Sequence, residues 1–147
     1  MSIKIIIILV LGSSALFSQG HIDHIKNQEY LKLKNKINCN DLPDDNLSEK
    51  ICANLAFQKS DSLLTVIYDT LIYKVKLSYN DSFENKIIKL QVTWRKFRDE
   101  HCSIIYDTYE GCGGCHQRSI DYLYCLKSLT DDRINELKEL YSKLLNE

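Results

Sequence analysis

Cys112-Gly113-Gly114-Cys115-His116 is the stretch of the chain whose residue types and spacing spell out a chemistry. In C-x-x-C-H, two thiols can form thioethers to a haem while the histidine takes the proximal iron position, the signature of c-type attachment. The same cysteines, spaced by two glycines that free the backbone, can instead close a local disulfide. Four more cysteines, Cys39, Cys52, Cys102 and Cys125, favour the disulfide, because a haem leaves them unexplained. An even set of six in an oxidising compartment is most simply three bridges. The single methionine is Met1, so a distal haem ligand would have to be a histidine such as His21, His24 or His101, or be absent. A zinc site from Cys112, Cys115, His116 and either Cys102 or Cys125 needs reduced thiols, which the same compartment disfavours. The expectation is no cofactor and no metal, with Cys112, Cys115 and His116 as the rival haem site.

Other chemistry is sparse. His101 and Cys102 are adjacent, and neighbours on a helix point about 100° apart, so they do not form a base and nucleophile pair. Asp99 and Glu100 are neighbours on a charged face rather than two carboxylates converging in a cleft. There is no Gly-x-Ser-x-Gly, no phosphate loop and no H-E-x-x-H. The chain reads as a protein that is not an enzyme. Trp94 and Arg98 stand four residues apart and can stack on one helix face. With Asp99 they are the candidates for a binding surface. The competing reading makes Trp94 a core anchor and Arg98 its brace, through Asp131, Asp132 or a backbone carbonyl.

The elements that position these residues are helices. Met1 to Lys4 form a basic start, Ile5 to Leu11 an unbroken apolar run, and Gly12 to Ser18 a small-residue end, the order of a secretory signal. The apolar stretch is shorter than the roughly 20 residues a membrane span needs. Residues 1–20 are therefore expected to be a signal peptide cut after Ser18 or Gly20. Residues 21–38 then read as a linker or loosely docked segment, and 39–147 as the domain. The mature chain is expected to be secreted or periplasmic, with no stable membrane anchor. Lys and Arg number 19 against 20 Asp and Glu, a net charge of −1 that argues against a general nucleic-acid binder. One proline and five glycines in the chain are too few for the turns of a sandwich or barrel.

Helical periodicity carries the rest. From Glu49 to about Tyr79, Cys52, Leu55, Ala56, Leu63, Val66, Ile67, Leu71, Val75 and Tyr79 recur at steps of three and four, with Ser48 or Asn46 as cap. Asp81 or Ser82 caps a second helix, with Ile87, Leu90, Gln91, Trp94, Phe97, Arg98, Cys102 and Ile105 on one face. After the glycine loop, a short helix carries Ile120, Leu123, Tyr124 and Leu126. Thr130 then caps a last helix with Ile134, Leu137, Tyr141 and Leu144 along its seam. The expected fold is all-α, a small disulfide-stapled bundle of about four helices.

Six cysteines allow 15 connectivities. A helical hairpin across the glycine loop brings Cys102 to Cys125, and Cys39 can staple the entry segment to the helix bearing Cys52. Cys112 and Cys115 then pair locally.

Gln91-Val92-Thr93-Trp94-Arg95-Lys96-Phe97-Arg98-Asp99-Glu100-His101-Cys102, a glycine loop, and Cys125-Leu126-Lys127-Ser128-Leu129-Thr130-Asp131-Asp132-Arg133-Ile134-Asn135-Glu136-Leu137 together resemble the lysozyme inhibitor LprI-type domain family. Its pattern is a Q-x-x-W-x-x-aromatic-R-D-x-x-C helix followed by C-L-x-x-L-T-x-x-R-x-x-x-L, and the resemblance runs roughly from Cys39 to Leu145. It implies a small helical domain of exported bacterial proteins, with Cys39, Cys52, Cys102 and Cys125 at family positions and Cys112 and Cys115 an addition. It also implies a lysozyme as partner, the alternative reading being an interaction or structural module for another envelope protein. Acidic residues at Asp41 to Asp45 or Asp131 to Glu139 would suit a basic lysozyme.

Overall fold

The computed structural model describes residues 24–109, 111–112 and 115–145. The expected signal peptide lies outside them. Three long helices carry the fold: α1 (Asn46–Ser78), α2 (Asp81–Asp107) and α3 (His116–Leu145). Before them come a helical turn at 24–26 and short 3-10 turns at Glu29–Leu33 and Cys39–Asp41. The fold is the all-α, disulfide-stapled bundle expected. No strand occurs among the described residues.

The first two long helices start where a side chain satisfies their first amides. Asp45, not Ser48 or Asn46, caps α1 by accepting a hydrogen bond from the Ser48 amide at 2.8 Å. Asn80, one residue earlier than expected, caps α2 by accepting from the Phe83 amide at 3.0 Å. Asn80→Ala is expected to lower stability by about 1 kcal/mol in urea titrations, since it removes the side-chain acceptor at the start of α2. Past α2 the chain turns at Gly111, whose φ of +80° suits a residue without a Cβ.

The break expected at Thr130 is absent, and α3 runs through it. The Thr130 hydroxyl donates to the Leu126 carbonyl at 2.6 Å and is fully buried. A threonine bonded back to residue i−4 can sit inside a helix. Lys127 and Asp131, i and i+4 at 2.6 Å, bridge the same turn on the outside.

The helices run up, down and up, with α1 packed chiefly along α3 and α2 leaning mostly on α3. Two apolar clusters fill the interior. One joins Ala53, Phe57, Cys102, Tyr122, Leu123 and Leu126. The other joins Leu64, Leu71, Val75, Ile87, Ile134 and Leu137. Ile25, in the segment before the domain, belongs to the first cluster, and the Asn54 side-chain amide holds its carbonyl at 3.1 Å.

The inward faces differ from the periodic reading. In α1 the buried row is Ala53, Phe57, Leu64, Leu71 and Val75, while Leu63, Val66 and Tyr79 are exposed. In α2, Ile87, Gln91, Arg98 and Cys102 are buried, but Leu90 and Phe97 are more than half exposed. Both helices are apolar on more than one face, so period alone does not say which face the partners cover.

Candidate functional site

Between the two apolar clusters lies a polar layer, and Arg98 is its centre. Phe57 and Leu64 on α1, Leu126 and Ile134 on α3, and Cys102 and Ile87 on α2 bracket it. Arg98 is 2% exposed. Its Nη1 donates to Asp61 Oδ1 of α1 at 2.9 Å and to Thr130 Oγ1 of α3 at 3.1 Å, and its Nε donates to Asp99 Oδ1 at 2.8 Å. Lys26, ahead of the helices, donates to the other Asp61 oxygen at 2.9 Å. Four pieces of chain therefore meet at one ion cluster.

The electrostatics agree with that geometry. Burial pushes the Asp61 carboxyl up, but hydrogen bonds from Lys26 and Arg98, with their charges, outweigh it and hold the group below the ordinary carboxylate range. The planar guanidinium also lies over aromatic rings, 5.5 Å from the Phe57 centroid and 5.3 Å from Trp94. Arg133 covers Trp94 as well, at 5.6 Å, and its Nε donates to Gln91 Oε1 at 3.1 Å.

Of the sequence candidates, Arg98 is inside the bundle and Trp94 is half-buried between two arginines. Asp99 spends one carboxylate oxygen on Arg98. Arg98 does act as a brace, but through Asp61 and Thr130 rather than Asp131 or Asp132. Asp131 pairs with Lys127 instead. Sequence reasoning missed Asp61 and Lys26. The available signal was a carboxylate four residues after Phe57 and three before Leu64, in the inward row of α1.

The cysteines form three bridges: Cys39 with Cys52, Cys102 with Cys125, and Cys112 with Cys115, at Cα separations of 5.8, 5.7 and 5.7 Å. The first pins the entry turn to α1 and the second pins α2 to α3. The third uses the two sulfurs that thioether attachment of a haem would require. Cys115 and His116 line a cleft of about 200 Å³ together with His24, Lys50 and Arg118. Arg118 stacks on the Tyr106 ring at 3.6 Å. His101 is exposed and lies against Phe97, with ring centroids 5.4 Å apart. Among the described residues, no three His, Cys, Asp or Glu side chains group so as to hold a metal ion, and no helix is long and apolar enough to cross a membrane.

The acidic turn sits on the first staple. Asp41 and Asp44 are exposed, and Asp41 accepts a hydrogen bond from the Asn38 side chain at 2.8 Å. The amide of Ser48 lowers the Asp45 carboxyl below its ordinary range.

These features define a class: a small helical module in which two apolar clusters, three disulfides and a polar layer around one buried arginine hold three long helices together. The chain belongs to the lysozyme inhibitor LprI family. The family model described as "Lysozyme inhibitor LprI" matches residues 39–137, more than half of the chain. That span takes in Cys39, Cys52, Cys102, Cys125 and the Arg98, Asp61 and Thr130 cluster. No curated protein and no solved structure matches the chain.

Proposed function

We propose that the mature chain is an exported binding protein that inhibits a lysozyme in the cell envelope. The observation that carries this reading is the family match over residues 39–137. Export is supported by the signal-like residues 1–20 and by three disulfides, which persist in oxidising compartments.

The face assigned to the enzyme is the acidic entry turn. Asp41 and Asp44 are exposed on a segment that the Cys39–Cys52 bridge holds in place, so little ordering entropy is lost when they meet a basic surface. A net charge of −1 gives weak long-range steering, so attraction has to come from this local patch.

Lysis of peptidoglycan by a purified lysozyme is expected to slow when the oxidised mature chain is added in excess. Equal lysis rates with and without it would sink the proposal. Asp41→Asn with Asp44→Asn is expected to weaken inhibition by roughly tenfold at low salt and by less at high salt, where charges are screened. Intact mass should rise on reduction by two hydrogen atoms per bridge, and the same measurement reads the signal cleavage site and any bound haem.

A further inference from the structure

The outward face of α1 carries an apolar stripe that the bundle does not use. Leu63, Val66, Tyr73 and Leu77 are 46%, 62%, 62% and 66% exposed, and Thr70 between them is exposed too. Leu64, Leu71 and Val75, on the opposite side of the same helix, are fully buried. The outward residues follow one another at steps of three, four, three and four, the a and d spacing of a coiled-coil seam. Leu63, Thr70 and Leu77 take the a positions, and Val66 and Tyr73 the d positions. Lys59 closes the seam at one end and the end of α1 at Ser78 closes it at the other. Its length is about 21 Å at the helical rise per residue.

We propose that this face is a self-association seam, on which two copies of the chain pair their α1 helices in parallel. The charges beside the stripe choose the occupant. Asp69 stands at the g position and Lys74 at e, five residues later. In a parallel pair the g residue of one helix meets that e residue of the other, so Asp69 faces Lys74 of the second copy, twice over. The parallel register also stacks each of the five seam residues on its own counterpart. An antiparallel register centred on Thr70 sets Asp69 beside Asp69 of the second copy. One shifted towards the end of α1 leaves Leu63 without a seam partner. Because the stripe lies opposite the core, pairing leaves α2, α3 and the Arg98 cluster undisturbed. The seam is only five residues deep, so the dimer is weak and concentration-dependent.

Sedimentation velocity of the oxidised mature chain from micromolar to millimolar concentration tests this. A monomer–dimer equilibrium is expected. Val66→Glu buries a charge twice at the seam and should weaken the dimer by about a hundredfold. Its circular dichroism melt should match that of the parent, because Val66 touches no core. Lys74→Asp sets like charges opposite each other and should weaken pairing roughly tenfold. Adding Asp69→Lys to it re-forms both pairs with signs exchanged and should restore most of the loss. A chain that stays monomeric throughout overturns the proposal. So does a dimer insensitive to Val66→Glu, or one that the second charge change does not rescue.

Discussion

Asp61→Ala is expected to destabilise the domain by about 3–5 kcal/mol in urea or thermal titrations at neutral pH, the range for removing one partner of a buried ion pair. The cost comes from what is left behind. Arg98 is 2% exposed, and without Asp61 its Nη1 keeps only the Thr130 hydroxyl as acceptor while Nε keeps Asp99. Lys26 is 37% exposed on its side chain and can turn to water, so it adds little to the loss. The converse substitution separates charge from packing. Asp61→Leu combined with Arg98→Met fills the same layer with apolar groups and should recover most of the stability lost in Asp61→Ala. The pair is thus expected to act by penalising other helix registers more than by adding net stability. pH gives a second handle on the same cluster. The folded Asp61 carboxyl titrates below its unfolded value of about 3.9, so its contribution is complete above that value and is lost as pH falls through the folded one. Asp131, also held low by hydrogen bonds from Lys127 and Ser60 that outweigh its desolvation, adds to the same acid limb. Stability below about pH 4 should therefore fall more steeply in the parent than in the Asp61→Leu, Arg98→Met chain.

The helical class was legible from the residues because period constrains it directly, and helix order favoured the pairs Cys39–Cys52 and Cys102–Cys125 without excluding other connectivities. The inward faces were not legible. Leu63, Val66, Leu90 and Phe97 fit a helical stripe as well as Leu64, Leu71 and Cys102 do, and only the position of α3 decides which stripe is buried. Thr130 shows the same limit at a boundary. A threonine followed by two aspartates is a good N-cap signal, yet here the hydroxyl bonds back to Leu126 and receives Arg98, so the helix continues. Asp61 was hidden because a lone carboxylate in a sequence looks solvated until its cation is placed beside it, and Arg98 lies 37 residues away. The family pattern marked Arg98 and Asp99 but said nothing of what they touch.

Removing the Cys102–Cys125 bridge as Cys102→Ala with Cys125→Ala is expected to cost about 3 kcal/mol, measured by urea denaturation of the purified chain. The bridge closes a separation of 23 residues and ties α2 to α3 across the glycine-containing connection. Without it the unfolded ensemble regains loop freedom that the bridged chain never has. Cys102 is also fully buried against the Phe57 and Leu126 cluster, so the alanine leaves unfilled space as well. The Cys39–Cys52 bridge spans 13 residues and should give a somewhat smaller loss. Exposure separates the two under reduction. Cys39 is at the surface, so a mild thiol should open its bridge readily from the folded state, whereas the second bridge offers only the half-buried Cys125 sulfur, Cys102 being fully buried, and should open more slowly. Mass spectrometry of alkylated samples should find Cys39 and Cys52 labelled before Cys102 and Cys125. Labelling of Cys102 should accelerate in Asp61→Ala in proportion to the population of its open state. If Cys102 were labelled as fast as Cys39 in the parent chain, the polar layer would not be what holds α2 against α3.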